Sequence, residues 1–134
     1  MAIFNTPPYV GTPDPDQMFG TANGEDFFGN GGDDVILAAG GNDDVEGGSG
    51  NDSLDGEAGN DTLDGGRGAD TVLGGDGDDV IVVRDSEAVG DSMNGGAGFD
   101  TVLNYGHGAV ALETFDPPPH PLPFLDAVAG TEGL

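Results

Sequence analysis

From Gly11 to Val82 the sequence repeats every nine residues without a slip. Read in register, the units are GTPDPDQMF, GTANGEDFF, GNGGDDVIL, AAGGNDDVE, GGSGNDSLD, GEAGNDTLD, GGRGADTVL and GGDGDDVIV. The eighth position is always apolar: Met18, Phe27, Ile36, Val45, Leu54, Leu63, Val72 and Ile81. The sixth is always acidic: Asp16, Glu25, Asp34, Asp43, Asp52, Asp61, Asp70 and Asp79. The fourth is Gly from Gly32 to Gly77, preceded by Asn23 and Asp14. A short strict period of this kind points to a stacked solenoid rather than a globular core.

The apolar residue sits at the centre of a three-residue strand, such as Ser53-Leu54-Asp55 or Thr62-Leu63-Asp64. Strand side chains alternate, so the eighth position faces one way and its neighbours the other. One apolar residue in nine cannot fill a core alone, but stacked units join those residues into a continuous ladder. The remaining six residues reverse the chain, and glycine permits the φ > 0 that such turns need. Asn23 fits the same reading, since Asn tolerates the left-handed region. Eighteen residues then make one coil, with odd and even units forming two facing parallel sheets. Four coils spaced by the strand separation of ~4.8 Å make a stack about 20 Å tall.

This geometry gathers the sixth-position carboxylates into two columns. Asp16, Asp34, Asp52 and Asp70 line one edge, and Glu25, Asp43, Asp61 and Asp79 the other. Two carboxylates ~5 Å apart repel by roughly 3 kcal/mol at an effective dielectric near 20. The chain has no Lys and only Arg67 and Arg84 to answer them. A hard dication held by carboxylates and turn carbonyls meets the need. Oxygen-only ligation with flexible geometry favours Ca²⁺, and no Cys is present for softer metals.

The units resemble the nonapeptide G-G-x-G-x-D-x-U-x of the RTX (repeats-in-toxin, hemolysin-type calcium-binding) family, U being a large apolar residue. Residues 47–55 and 74–82 match every defined position, and residues 56–64 depart only at Glu57. The resemblance covers roughly two-thirds of the chain. It implies an all-β fold, a right-handed parallel β-roll (a β-solenoid) with short terminal caps and several Ca²⁺ ions, one between successive turns on each edge. It also implies a secreted, extracellular protein that leaves the cell unfolded by type I secretion machinery, directed by an uncleaved C-terminal segment.

Pairings of Asp34 with Asp52, Asp52 with Asp70, Asp43 with Asp61 and Asp61 with Asp79 make the fullest candidate sites. The turn glycines Gly32, Gly41, Gly48, Gly50, Gly59, Gly66, Gly68, Gly75 and Gly77 belong to the same candidate set. The site between Glu25 and Asp43 is expected to be weaker, because Glu25 is one methylene longer. Asp14 precedes Pro15, which pushes it away from the left-handed region, so the first turn is expected to differ. Residues 83–89 break the register as a loop. With three extra residues absorbed there, Asp91 follows Asp70 and Asp100 follows Asp79, extending the roll over 11–103.

Residues 1–10 are expected to form an N-terminal cap or tail, residues 104–115 closing strands, and residues 116–134 a Pro-rich tail, of which Asp116 to Pro123 cannot join a sheet ladder and Phe124 to Leu134 reads as either an export signal or a tail. Apolar residues flank the core positions near both ends: Phe19, Phe28, Val35, Leu37, Leu73, Val80, Val82 and Leu103. They are expected to be covered by the termini, by a neighbouring domain, or by self-association.

A net charge of −24 leaves no basic footprint for nucleic acid. No stretch is long and apolar enough to span a membrane. With no disulfides, metal is the staple available to so thin a core. His107 and His120 stand alone, no zinc-protease or nucleophile-elbow motif occurs, and an enzyme is not expected. Asn51-Asp52-Ser53 and Asn60-Asp61-Thr62 match the glycosylation pattern but lie in the turns, and are read as chance. The chain reads as a secreted calcium-binding module that folds on metal binding. The alternatives are a non-catalytic module of a larger secreted RTX protease or lipase, and a calcium-dependent surface or adhesion protein.

Overall fold

Each nonad forms a strand around its apolar residue, and in several the strand runs on into the following glycine pair. The computed structural model describes residues 2–83, 90–104 and 127–129, which hold thirteen strands and no helix. In chain order these are β1 (Ala2–Phe4), β2 (Tyr9–Val10), β3 (Asp16–Phe19), β4 (Asp26–Phe28), β5 (Val35–Leu37), β6 (Asp44–Ser49) and β7 (Ser53–Asp55). They continue as β8 (Thr62–Arg67), β9 (Thr71–Asp76), β10 (Val80–Val83), β11 (Ser92–Ala97), β12 (Thr101–Asn104) and β13 (Ala127–Ala129). Every pairing is parallel, and the strands fall into two sheets, β1-β3-β5-β7-β9-β11 and β13-β12-β10-β8-β6-β4-β2. Odd and even repeats therefore occupy opposite sheets of an all-β parallel β-roll of about 5 turns.

The register places like on like. Met18 pairs with Ile36, Ile36 with Leu54, Leu54 with Val72, and Val72 with Met93. The facing sheet stacks Tyr9, Phe27, Val45, Leu63, Ile81 and Val102. None of these eleven side chains is more than 2% exposed. Two columns of apolar side chains, meeting between the sheets, are the core.

Strands outside the eight repeats add rungs at both ends. Phe4 pairs with Met18 and packs on the core, leaving Ile3 outward and 63% exposed. Tyr9 stacks on Phe27 with ring centroids 4.4 Å apart. At the far end Val128 pairs with Val102. A strand at 127–129 was not read from the sequence, where the prolines of the tail dominate. Val83, read as loop, is instead the last residue of β10 and pairs with Asn104. The rest of that loop, residues 105–115 of the expected closing strands, and the polyproline stretch lie outside the described residues.

Strands β6, β8, β9 and β11 run six residues rather than three. The turn backbone pairs as well: Gly48 lies opposite Gly66, and Gly75 opposite Gly96. The outward apolar residues do not share one fate. Val82 is buried, Phe19, Val35, Leu37, Val80 and Leu103 are half-buried, and Phe28 and Leu73 are exposed.

Candidate metal centre

A carboxylate that closes a turn from inside must be short, and the sixth-position Asp side chains reach no further than the coil beneath. Each accepts a hydrogen bond from the backbone N–H of its counterpart one coil earlier. Asp16 N–H donates to Asp34 Oδ1, Asp34 to Asp52, Asp52 to Asp70 and Asp70 to Asp91, all at 2.8 Å. On the other edge Glu25 donates to Asp43, Asp43 to Asp61 and Asp61 to Asp79 at 2.8 Å, and Asp79 to Asp100 at 2.9 Å. The step is 18 residues up to Val83, and 21 where residues 84–89 intervene. Asp91 and Asp100 thus stand in the columns of Asp70 and Asp79.

One oxygen of each carboxylate is used in this ladder. For Asp34, Asp43, Asp52, Asp61 and Asp79 the other, Oδ2, is buried and has no hydrogen-bond partner. These residues are at most 3% exposed. Burial pushes the Asp52 carboxyl up to about 7, against the Asp34 N–H, which lowers it, and with the charges of Asp70 and Asp34 adding to the rise. Burial likewise lifts Asp79 to about 7, and Asp34 and Asp43 to about 6, with neighbouring carboxylates adding to each. Asp61 is raised by burial, against the Asp43 N–H. A carboxylate left with a bare buried oxygen calls for a proton or a cation.

The turns beside these oxygens are tightly stacked. From the third repeat on, both the second and fourth positions take positive φ, as at Gly48 (104°) and Gly50 (127°). The Gly32 carbonyl lies directly under Gly50, so a Cβ there would strike it, and Gly59 lies over Gly41 in the same way. Gly66, Gly68, Gly75 and Gly77 repeat the arrangement over the carbonyls of Gly48, Gly50, Glu57 and Gly59. Asn30, Ala39 and Glu57 adopt the left-handed second position without being glycine, at φ 74°, 77° and 67°. Asn23, expected in that region, does not enter it.

The sequence model of the RTX calcium-binding nonapeptide repeat (4 copies) matches residues 19–54 and again residues 46–81. These are RTX calcium-binding nonapeptide repeats. Comparison with curated proteins and with solved structures returns no match.

RTX repeats bind calcium, and the donors of this roll suit that ion. They are hard oxygens, buried, and short of hydrogen-bond donors. Among the described residues no three acidic or histidine side chains converge on one point. The oxygens these turns present are thus carboxylates one or two at a time together with backbone carbonyls, a mixed set that the flexible shell of Ca²⁺ accepts.

The first two RTX-like turns differ. Thr12 N–H donates to Asp16 Oδ2 at 2.6 Å, and the Thr12 hydroxyl reaches the same carboxylate at 3.0 and 3.2 Å. Ala2 N–H adds a bond to Asp16 Oδ1 at 3.0 Å. Burial raises the Asp16 carboxyl, but the Thr12 and Ala2 amides and the Thr12 hydroxyl outweigh it and hold it below its usual value. Thr21 treats Glu25 alike, with N–H to Oε1 at 2.7 Å and hydroxyl to Oε2 at 2.8 Å. Glu25 is half-buried, unlike Asp43, Asp61 and Asp79 of the later coils in its column.

A second ladder escaped the sequence reading. Fifth-position side chains accept from the fifth-position N–H of the following coil: Asp33 from Asn51, Asn51 from Ala69, Asn42 from Asn60, and Asn60 from Asp78, each at 2.9 Å. Its direction is opposite to that of the aspartate ladder. The signal was visible as Asp or Asn at the fifth position of repeats three to six and eight. Asn51 and Asn60, singled out only as a chance glycosylation match, are two of its links.

Proposed function

We propose that this chain is a secreted calcium-binding module whose folding is coupled to metal uptake. The observation that carries the reading is the set of five buried carboxylate oxygens, on Asp34, Asp43, Asp52, Asp61 and Asp79, that no protein donor satisfies. Those oxygens, with Asp70, Asp91 and Asp100 in the same columns, are the proposed acidic ligands. Carbonyls of the stacked turns, among them Gly32, Gly41, Gly48, Gly50, Gly59, Gly66, Gly68, Gly75 and Gly77, complete the shell. When bound, Ca²⁺ supplies the positive charge that the columns lack.

Binding free energy then becomes folding free energy, because the extended chain has no preformed site. A ligand at a hundred times its dissociation constant adds about 2.7 kcal/mol per site. Sites of extracellular grade, with dissociation constants of ~10⁻⁴ to 10⁻³ M, stay empty at cytosolic calcium and fill outside. RTX repeats are typical of secreted proteins, and a chain that stays extended until it meets calcium suits export through a type I channel. The role is one of binding, not catalysis.

Circular dichroism during a Ca²⁺ titration at pH 7.5 tests the coupling. Strand signal is expected to appear cooperatively with metal and to vanish in chelator. A strand signal already complete in chelator would end the reading.

A further inference from the structure

The first coil of the roll is closed in a way that the turns of Asp34, Asp43, Asp52, Asp61 and Asp79 are not. We propose that Thr12 and Thr21 stand in for the cation in the first two repeats, so that this coil takes no calcium and the second nonad position decides which repeats do. The inference rests on the calcium reading above and deepens it.

In repeats three to eight the second residue is Asn30, Ala39, Gly48, Glu57, Gly66 or Gly75, and each has positive φ. The buried Oδ2 of Asp34, Asp43, Asp52, Asp61 and Asp79 in these repeats meets no donor. Threonine is β-branched and resists that conformation, and neither Thr12 nor Thr21 adopts it. Each instead points its own N–H into the turn. The result is a backbone amide and a hydroxyl on one carboxylate: Thr12 on Asp16 at 2.6 to 3.2 Å, and Thr21 on Glu25 at 2.7 and 2.8 Å. Ala2 N–H completes Asp16. Both oxygens of each acid then have donors, and the group facing them presents hydrogens where a metal needs lone pairs. Neither fourth residue, Asp14 or Asn23, enters the left-handed region, so the later turn geometry is not reproduced there either. The sixth-position N–H groups of this coil still donate to Asp34 and Asp43, so it docks on the metal-binding turns without needing metal itself.

The test is the number of Ca²⁺ ions held by the full chain at saturating calcium, read by native mass spectrometry, with circular dichroism to confirm the fold. Glu25→Gln and Asp16→Asn are expected to hold as many ions as the parent. Asp52→Asn is expected to hold at least one fewer. The triple change Thr21→Gly, Asn23→Gly, Glu25→Asp writes the later nonad into the second repeat and is expected to gain an ion. Loss of an ion in Glu25→Gln, alongside loss in Asp52→Asn, would overturn the inference and leave the calcium reading standing. A folded triple variant with no added ion would remove Thr21 from the role given to it. A full ion count in Asp52→Asn would overturn both.

Discussion

A buried carboxylate with one bonded and one bare oxygen is satisfied by a proton as well as by a metal. The ordinary aspartate value is 3.8, and in the folded chain Asp34 and Asp43 rise to about 6 and Asp52 and Asp79 to about 7. The folded state thus binds more protons than the unfolded chain between pH 4 and pH 7, and linkage makes metal-free stability fall as pH rises through that window. The contribution is full below about pH 4 and is lost above about pH 7. Strand signal by circular dichroism in metal-free buffer is expected to be stronger at pH 5 than at pH 7.5, and Asp52→Asn to flatten that dependence. A stronger metal-free signal at pH 7.5 would contradict the burial of these groups. In calcium the order reverses, since the ion competes with the proton for the same oxygens.

At the scale of the strand, position within the nonad sets the worth of a side chain. Leu54 is fully buried between Ile36 and Val72, so Leu54→Ala in saturating calcium is expected to cost about 2–5 kcal/mol in denaturant unfolding. Leu73, one position further along its nonad and 37% exposed, is expected to cost about 0.5 kcal/mol or less. Equal losses would mean that the alternation has been misassigned. That alternation was legible in the sequence because period nine and period two agree at the eighth residue of every repeat. The two acid columns were legible for the same reason, including their continuation through Asp91 and Asp100. Other features were hidden because they depend on backbone conformation, which residue type constrains only loosely. Glu57 and Ala39 at positive φ run against their propensity, and stacking of the neighbouring coils holds them there. Phe4 rather than Ile3 faces inward because β1 pairs through Ala2 and Asp16, a register that lies outside the nonads. The Thr12 and Thr21 closures were hidden too, since a hydroxyl beside an acid in sequence carries no sign of which way the turn is wound.

For the whole molecule the decisive quantity is where the charge lies. With 26 acidic and 2 basic residues, self-repulsion across the surface opposes compaction, and salt screens it over about 10 Å at 0.1 M. The buried columns are out of reach of that screening. In chelator at pH 7.5, 0.5 M NaCl is therefore expected to leave the strand signal low, on the order of the salt-free value, while millimolar Ca²⁺ restores it. Recovery in NaCl alone would transfer the effect from specific ligation to general charge relief.

The coil-to-coil step lengthens from 18 to 21 residues after Val83, yet the Asp70–Asp91 bond keeps the 2.8 Å of its neighbours. Contact between these coils is thus kept while three more residues are spent between them. Lengthening the chain between Val83 and Gly90 by a further few glycines is therefore expected to leave the strand signal in saturating calcium unchanged, at a loop-closure cost of well under about 1 kcal/mol.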